Sequence, residues 1–142
     1  MSADPKSAAT TGYGSPLPRK LGFKPGMRAA FLGAPDDFAA TLGALPDGVS
    51  VASRLGGRKD LVVVFLTERA ELARRVEALK RAIAPDGMVW VAWPKKASKV
   101  PTDITEDVVR DVVLPTGLVD VKVCAIDATW SGLKLVIRRE LR

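Results

Sequence analysis

Apolar residues in this chain fall into two alternating patterns. Short, mostly apolar runs of strand length occupy 27–32, 60–66 and 88–93. Asp60-Leu61-Val62-Val63-Val64-Phe65-Leu66 is the clearest of them, the pattern of a strand buried on both faces. Between the runs, apolar residues recur at helical spacing: Leu72, Val76, Leu79 and Ile83, then Ile104, Val108 and Val112. Thr67 stands where an N-cap is expected before the first stripe. Asp103 with Glu106 has capping-box spacing before the second, and Asp36 can cap a short helix through Leu42. Residues 49–52, 119–126 and 133–137 add three more strands. The last two are separated by a short turn and must be antiparallel neighbours. Pro85-Asp86-Gly87 is read as a turn between helix and strand.

Strands alternating with helices predict an α/β fold of three layers. Its sheet is mostly parallel, with right-handed crossovers and a C-terminal antiparallel hairpin. The 142 residues suit one domain over 16–142. Residues 1–15, small and polar, are expected to form a disordered tail. No run is long and apolar enough for a membrane span, and 1–15 lacks the apolar stretch of a signal peptide. The expected location is therefore the cytoplasm, with no membrane partner.

Composition narrows the chemistry. There is no histidine, which excludes Ser-His-Asp and Cys-His catalysis and His-ligated zinc. The single Cys124 lies inside an apolar strand and offers neither a disulfide nor a metal cluster. A net charge of +6 admits anionic small molecules or nucleic acid as partners. The basic residues are nevertheless spread along the chain, without the basic-aromatic pattern of a nucleic-acid module.

Topology supplies a candidate site where motifs do not. Loops leaving parallel strands share one edge of the sheet, and ligands bind along that edge. This brings Gly33, Asp36, Thr67, Lys95, Lys96, Ser98, Lys99, Trp130 and Ser131 together as candidate ligand-binding residues. Lys95 and Lys96 would supply positive charge, and Trp130, placed in the hairpin turn, an apolar wall. No catalytic or metal-ligating residue is identified, and no cofactor is named.

The hairpin ending, with Leu21-Gly22-Phe23-Lys24-Pro25-Gly26 leading into the first strand, is similar to methyltransferase-type Rossmann-like folds. Such enzymes carry a glycine-rich loop after the first strand and an acid after the second. This chain has Gly33-Ala34-Pro35 and Ala52-Ser53-Arg54 there. Five strings resemble a family of small bacterial proteins, domain of unknown function 3052. They are Pro16-Leu17-Pro18-Arg19-Lys20-Leu21-Gly22, Trp93-Pro94-Lys95-Lys96-Ala97-Ser98, Pro101-Thr102-Asp103-Ile104-Thr105-Glu106-Asp107, Asp120-Val121-Lys122-Val123-Cys124-Ala125 and Trp130-Ser131-Gly132-Leu133-Lys134. The resemblance implies domain limits and no activity. The expectation is thus a non-catalytic Rossmann-like module that binds an anionic ligand or a protein partner at the C-terminal edge of its sheet. A divergent S-adenosylmethionine- or nucleotide-using enzyme and a charge-driven nucleic-acid-associated protein are the alternatives.

Overall fold

The computed structural model describes residues 16–142, so the tail expected at 1–15 lies outside the described residues. The elements are α1 (Leu17–Leu21), β1 (Arg28–Leu32), α2 (Phe38–Leu42), β2 (Ser50–Ala52), β3 (Lys59–Phe65), α3 (Arg69–Ala82), β4 (Ile83–Pro94), α4 (Glu106–Val113), β5 (Leu118–Ala125) and β6 (Trp130–Ile137). They build one six-stranded sheet in the order β2-β1-β3-β4-β6-β5. The first four strands in that order run parallel, and β6 is antiparallel to both β4 and β5. The α/β class, the parallel sheet and the closing hairpin are as the hydrophobic pattern predicts.

The side-chain alternation of the strands sorts the core into two halves. On one face Val62, Val64, Val89 and Val91 meet Leu72, Val76 and Leu79 of α3 and Val109 and Val113 of α4. On the other, Leu61, Val63 and Trp90 meet Leu21 of α1 and Phe38 and Leu42 of α2. Trp90 and Trp93 belong to opposite halves, as residues three apart on a strand should. Trp90 is fully buried, and its indole Nε1 donates to the Leu21 carbonyl at 2.8 Å. That bond fastens α1 to the middle of the sheet. No helix among the described residues is long and apolar enough to cross a membrane.

Four local expectations need correction. Residues 85–87 do not turn the chain back. They lie within β4, where Lys59 pairs with Ile83 but Leu61 pairs with Met88, so the intervening segment bulges outward. The buried stripe of α4 is Val109 and Val113 rather than Val108 and Val112, and the helix starts two residues later than the capping box implied. Its N-cap is Thr105, whose hydroxyl accepts from Val108 N at 3.2 Å. At α2, Asp37 rather than Asp36 occupies the N-cap position and makes no side-chain cap bond.

Asp103 caps a different helix from the one its spacing suggested. Its carboxylate accepts from Arg69 N, the first residue of α3, at 2.7 Å. Thr67, expected as the cap of α3, instead offers its carbonyl to the Thr102 hydroxyl at 2.6 Å. The loop before α4 is therefore laced to the start of α3. Asp103→Ala is expected to cost about 1 kcal/mol, the usual loss for a missing N-terminal cap. Hydrogen exchange should then quicken in the first turn of α3. Faster exchange confined to the start of α4 would contradict this assignment.

Arg110 ties α4 to the hairpin. It donates to Asp120 of β5 at 2.8 Å and pairs with Glu106 on its own helix. These bonds, Asp120 first, raise the guanidinium pKa, and Arg110 in turn holds the Asp120 carboxyl below its usual range.

Candidate functional site

The strand order fixes where a ligand can enter. From β1 the chain crosses to β2 on one side and returns to β3 on the other, so neighbouring loops diverge between β1 and β3. At such a switch point a crevice opens beyond the strand C-termini. A cavity of about 320 Å³ lies there, lined by Gly33, Phe65, Thr67, Glu68, Glu71, Arg75 and Trp130 among others.

Each wall of this cavity has a local cause. Gly33 ends β1 with φ +67°, a left-handed conformation that glycine adopts without strain. A Cβ there would sit 3.1 Å from the Phe65 carbonyl oxygen, so the backbones of β1 and β3 approach closely at this point. Trp130 is the first residue of β6 rather than part of the turn, a correction to the sequence reading. Asp127 fixes it: one carboxylate oxygen accepts from Thr129 N and Trp130 N, both at 2.8 Å. Its ring meets Phe65 edge-on at 5.1 Å, the last contact in an aromatic chain through Phe38, Phe31 and Phe23. Glu71 holds Arg75 at 2.6 Å and also Arg74. Those bonds, Arg75 first, keep its carboxyl below the usual range.

A second cavity of about 640 Å³ opens beside β4 and α4. Trp93, Lys95, Lys96, Lys99, Thr105, Glu106 and Ser131 contribute to its lining. Lys95 is anchored rather than free: its backbone N–H donates to Thr129 O at 2.7 Å and its ammonium to Asp127 O at 2.6 Å. Ser98 is likewise engaged, donating to Lys95 O at 2.7 Å and accepting from Val100 N at 3.2 Å. Lys99 has φ +63° and closes the short turn Lys96–Ser98. Between the two cavities a smaller one of about 260 Å³ is formed by Thr67, Glu68, Pro101, Thr102 and Asp103.

The candidate residues thus share one edge of the sheet but divide between cavities. Gly33, Thr67 and Trp130 line the switch-point crevice. Lys95, Lys96, Lys99 and Ser131 line the larger cavity. Asp36 and Ser98 line neither. The structure adds Glu68, Glu71 and Arg75, which the sequence reading passed over. Glu71 and Arg75 look like an ordinary helix-surface pair at i,i+4 spacing. The available signal was position: they open the helix that follows the switch-point strand.

Cys124 is buried and free. Burial pushes its thiol pKa up, against the pull of Lys20, Lys122 and Lys95. A protonated thiol is a poor nucleophile, so no role in the site is assigned to it.

Several solved structures with this arrangement are methyltransferases. A putative type 11 methyltransferase from Sulfolobus solfataricus matches with a TM-score of 0.62 and 14% identity, over 86% of this chain and 89% of that one. A SAM-dependent methyltransferase from Aquifex aeolicus matches with a TM-score of 0.60 and 16% identity, over 84% and 86%. The fibrillarin pre-rRNA processing protein of Methanococcus jannaschii matches with a TM-score of 0.59 and 11% identity, over 87% and 69%. No family model and no curated protein matches the chain, so the resemblance to domain of unknown function 3052 gains no support from them. At these identities the likeness establishes the fold: a Rossmann-like sheet of the methyltransferase type. It also corrects the expectation of a non-catalytic module binding an anionic ligand or a protein partner, because several of the structures that share this fold over most of the chain are methyltransferases.

Proposed function

We propose that residues 16–142 form a single, divergent S-adenosylmethionine-using enzyme of the cytoplasm, with its cofactor in the crevice at Gly33. The observation that carries this reading is the 320 Å³ cavity at the switch point of a methyltransferase-type sheet. The residues present fit such a group in part. Gly33 keeps the backbone open where a side chain would intrude, Trp130 offers an apolar wall, and the exposed Glu68 offers a carboxylate to sugar hydroxyls or a sulfonium charge. Bound there, the cofactor would supply an electrophilic methyl group.

The divergence lies in the missing motif. One glycine, followed by Ala34 and Pro35, replaces a glycine-rich loop, and Arg54 stands near the position where an acid usually holds the ribose. Glu68, at the N-cap position of α3 three residues beyond β3, is the acid this chain has at the crevice without a fixed arginine partner among the described residues.

The test is a calorimetric and thermal-shift titration with S-adenosylmethionine, S-adenosylhomocysteine and ATP. At a free concentration of about one hundred times Kd, S-adenosylmethionine should stabilise the fold by about 2.7 kcal/mol. Glu68→Gln should weaken that binding about tenfold, the loss of one charge-assisted hydrogen bond. Saturable binding of ATP alone would replace the cofactor by a nucleotide. Absence of saturable binding by all three would overturn the assignment.

A further inference from the structure

On the α1 side of the sheet, the hairpin β5–β6 carries a feature that the crevice does not use. Asp120 pairs with Leu135, but Lys122 pairs with Lys134, so β5 advances two residues where β6 advances one. Val121 is the extra residue of a β-bulge. Residues i and i+2 of a regular strand share a face. Without the bulge, Lys122 would point with Asp120 toward α4, where Arg110 already sits. With it, Lys122 crosses to the other face and stands directly opposite Lys134. The position of Lys134 confirms the face, because its partner on β4 is Trp90, in the core half that holds α1.

Like charges directly opposite one another on a sheet are destabilising. Here two more lysines join them from the segment that carries α1. Burial first, then Lys122 and Lys24, lower the pKa of Lys134, and Lys20 acts with Lys122 on Cys124. The two acids of the hairpin are turned elsewhere. Asp120 is held by Arg110 on the far face, and the Asp127 carboxylate is taken by Thr129 N and Trp130 N. None of the four lysines is in an ion pair within the described residues.

We propose that Lys20, Lys24, Lys122 and Lys134 form a docking surface for the sugar–phosphate backbone of a nucleic acid. This surface stands independently of the cofactor reading. A phosphodiester chain brings one negative charge per nucleotide and relieves a repulsion that the free protein carries. A protein partner fits less well, since the cores of protein interfaces are depleted in lysine and built on aromatic and arginine anchors. A lipid surface fits less well again. Interfacial binding uses a long amphipathic helix, and α1 has five residues. The chain's own segment 1–15 has Asp4 as its one acid and cannot neutralise the row.

The test measures fluorescence anisotropy of the full chain with labelled RNA single strands and DNA duplexes of about twenty nucleotides, the affinity being followed against salt. The wild type should bind one or both at low salt, with log K falling linearly in log salt. Lys20→Gln, Lys24→Gln and Lys122→Gln together should weaken binding at least about tenfold and reduce the salt slope by about 2 for the single strand. Arg58→Gln, Arg81→Gln and Arg139→Gln together remove the same charge elsewhere and should change affinity by less than about twofold. Equal losses in the two triple variants would overturn the proposal. So would the absence of binding to either nucleic acid at low salt, or retention on phosphatidylserine vesicles without binding to nucleic acid. Both triple variants are surface changes, and circular dichroism with the melting temperature will verify that each remains folded.

Discussion

Trp90→Ala should lower stability by about 3–5 kcal/mol, the range for deleting a large buried aromatic. Trp90 is fully buried at the centre of the α1-side core, between Leu61, Val63, Ala92 and Cys124. Alanine leaves a void that rigid strands on both sides cannot close. It also strips the Leu21 carbonyl of its 2.8 Å donor, so a buried acceptor is left unsatisfied. Trp90→Phe separates the two effects. It keeps most of the ring and loses the hydrogen bond, and it should cost about 1–2 kcal/mol. Because that bond fastens α1, amide exchange in α1 should quicken in Trp90→Phe while β3 and β4 stay protected. Denaturant midpoints and hydrogen exchange together check this. A Trp90→Phe protein as stable as the wild type, with α1 unchanged, would show that the bond to Leu21 does not hold the helix.

The central strands were legible because their signal is physical and local. Residues 61–66 are apolar without interruption, which only a two-sided burial explains, and every one of them is buried. The closing hairpin was legible for a similar reason, since a short turn between strands of full length allows only an antiparallel pair. Errors gathered where long-range contacts override local spacing. Asp103 and Glu106 have capping-box spacing, yet the carboxylate reaches Arg69, thirty-four residues away in sequence. The bulges at residues 84–87 and at Val121 left no pattern to read, because each depends on register with a neighbouring strand.

The site was legible as an edge and not as a cavity. Parallel strands put Gly33, Thr67 and Lys95 on one side of the molecule whatever their side chains do. How the edge divides into crevices depends on which side chains are already engaged. Lys95 reads as a free cation in the sequence, but its ammonium is spent on the hairpin carbonyl of Asp127. Its loop therefore braces the turn that positions Trp130. Glu71 with Arg75 has the spacing of an ordinary helix-surface pair, which conceals its place at the mouth of the crevice.

Gly33→Val is expected to abolish ligand binding at the switch-point crevice and to cost about 2 kcal/mol of stability. Two independent effects act at this residue. Its φ of +67° places a non-glycine residue in the left-handed region, at a cost of about 1–2 kcal/mol that is greatest for a β-branched side chain. The new Cβ also stands 3.1 Å from the Phe65 carbonyl, so β1 and β3 must separate by a few tenths of an ångström at the crevice floor. Gly33→Asn tells strain from occupancy. Asparagine tolerates the left-handed conformation, so most of the stability should return, while its side chain still enters the cavity. If S-adenosylmethionine binds against this glycine, both variants should weaken its binding at least about tenfold. If binding followed stability instead, Gly33→Asn would bind nearly as well as the wild type, and the ligand would have to sit elsewhere on the edge. Melting temperatures measured with and without S-adenosylmethionine on the three proteins decide between these outcomes, because only a ligand in contact with residue 33 makes the asparagine variant stable and unresponsive at once.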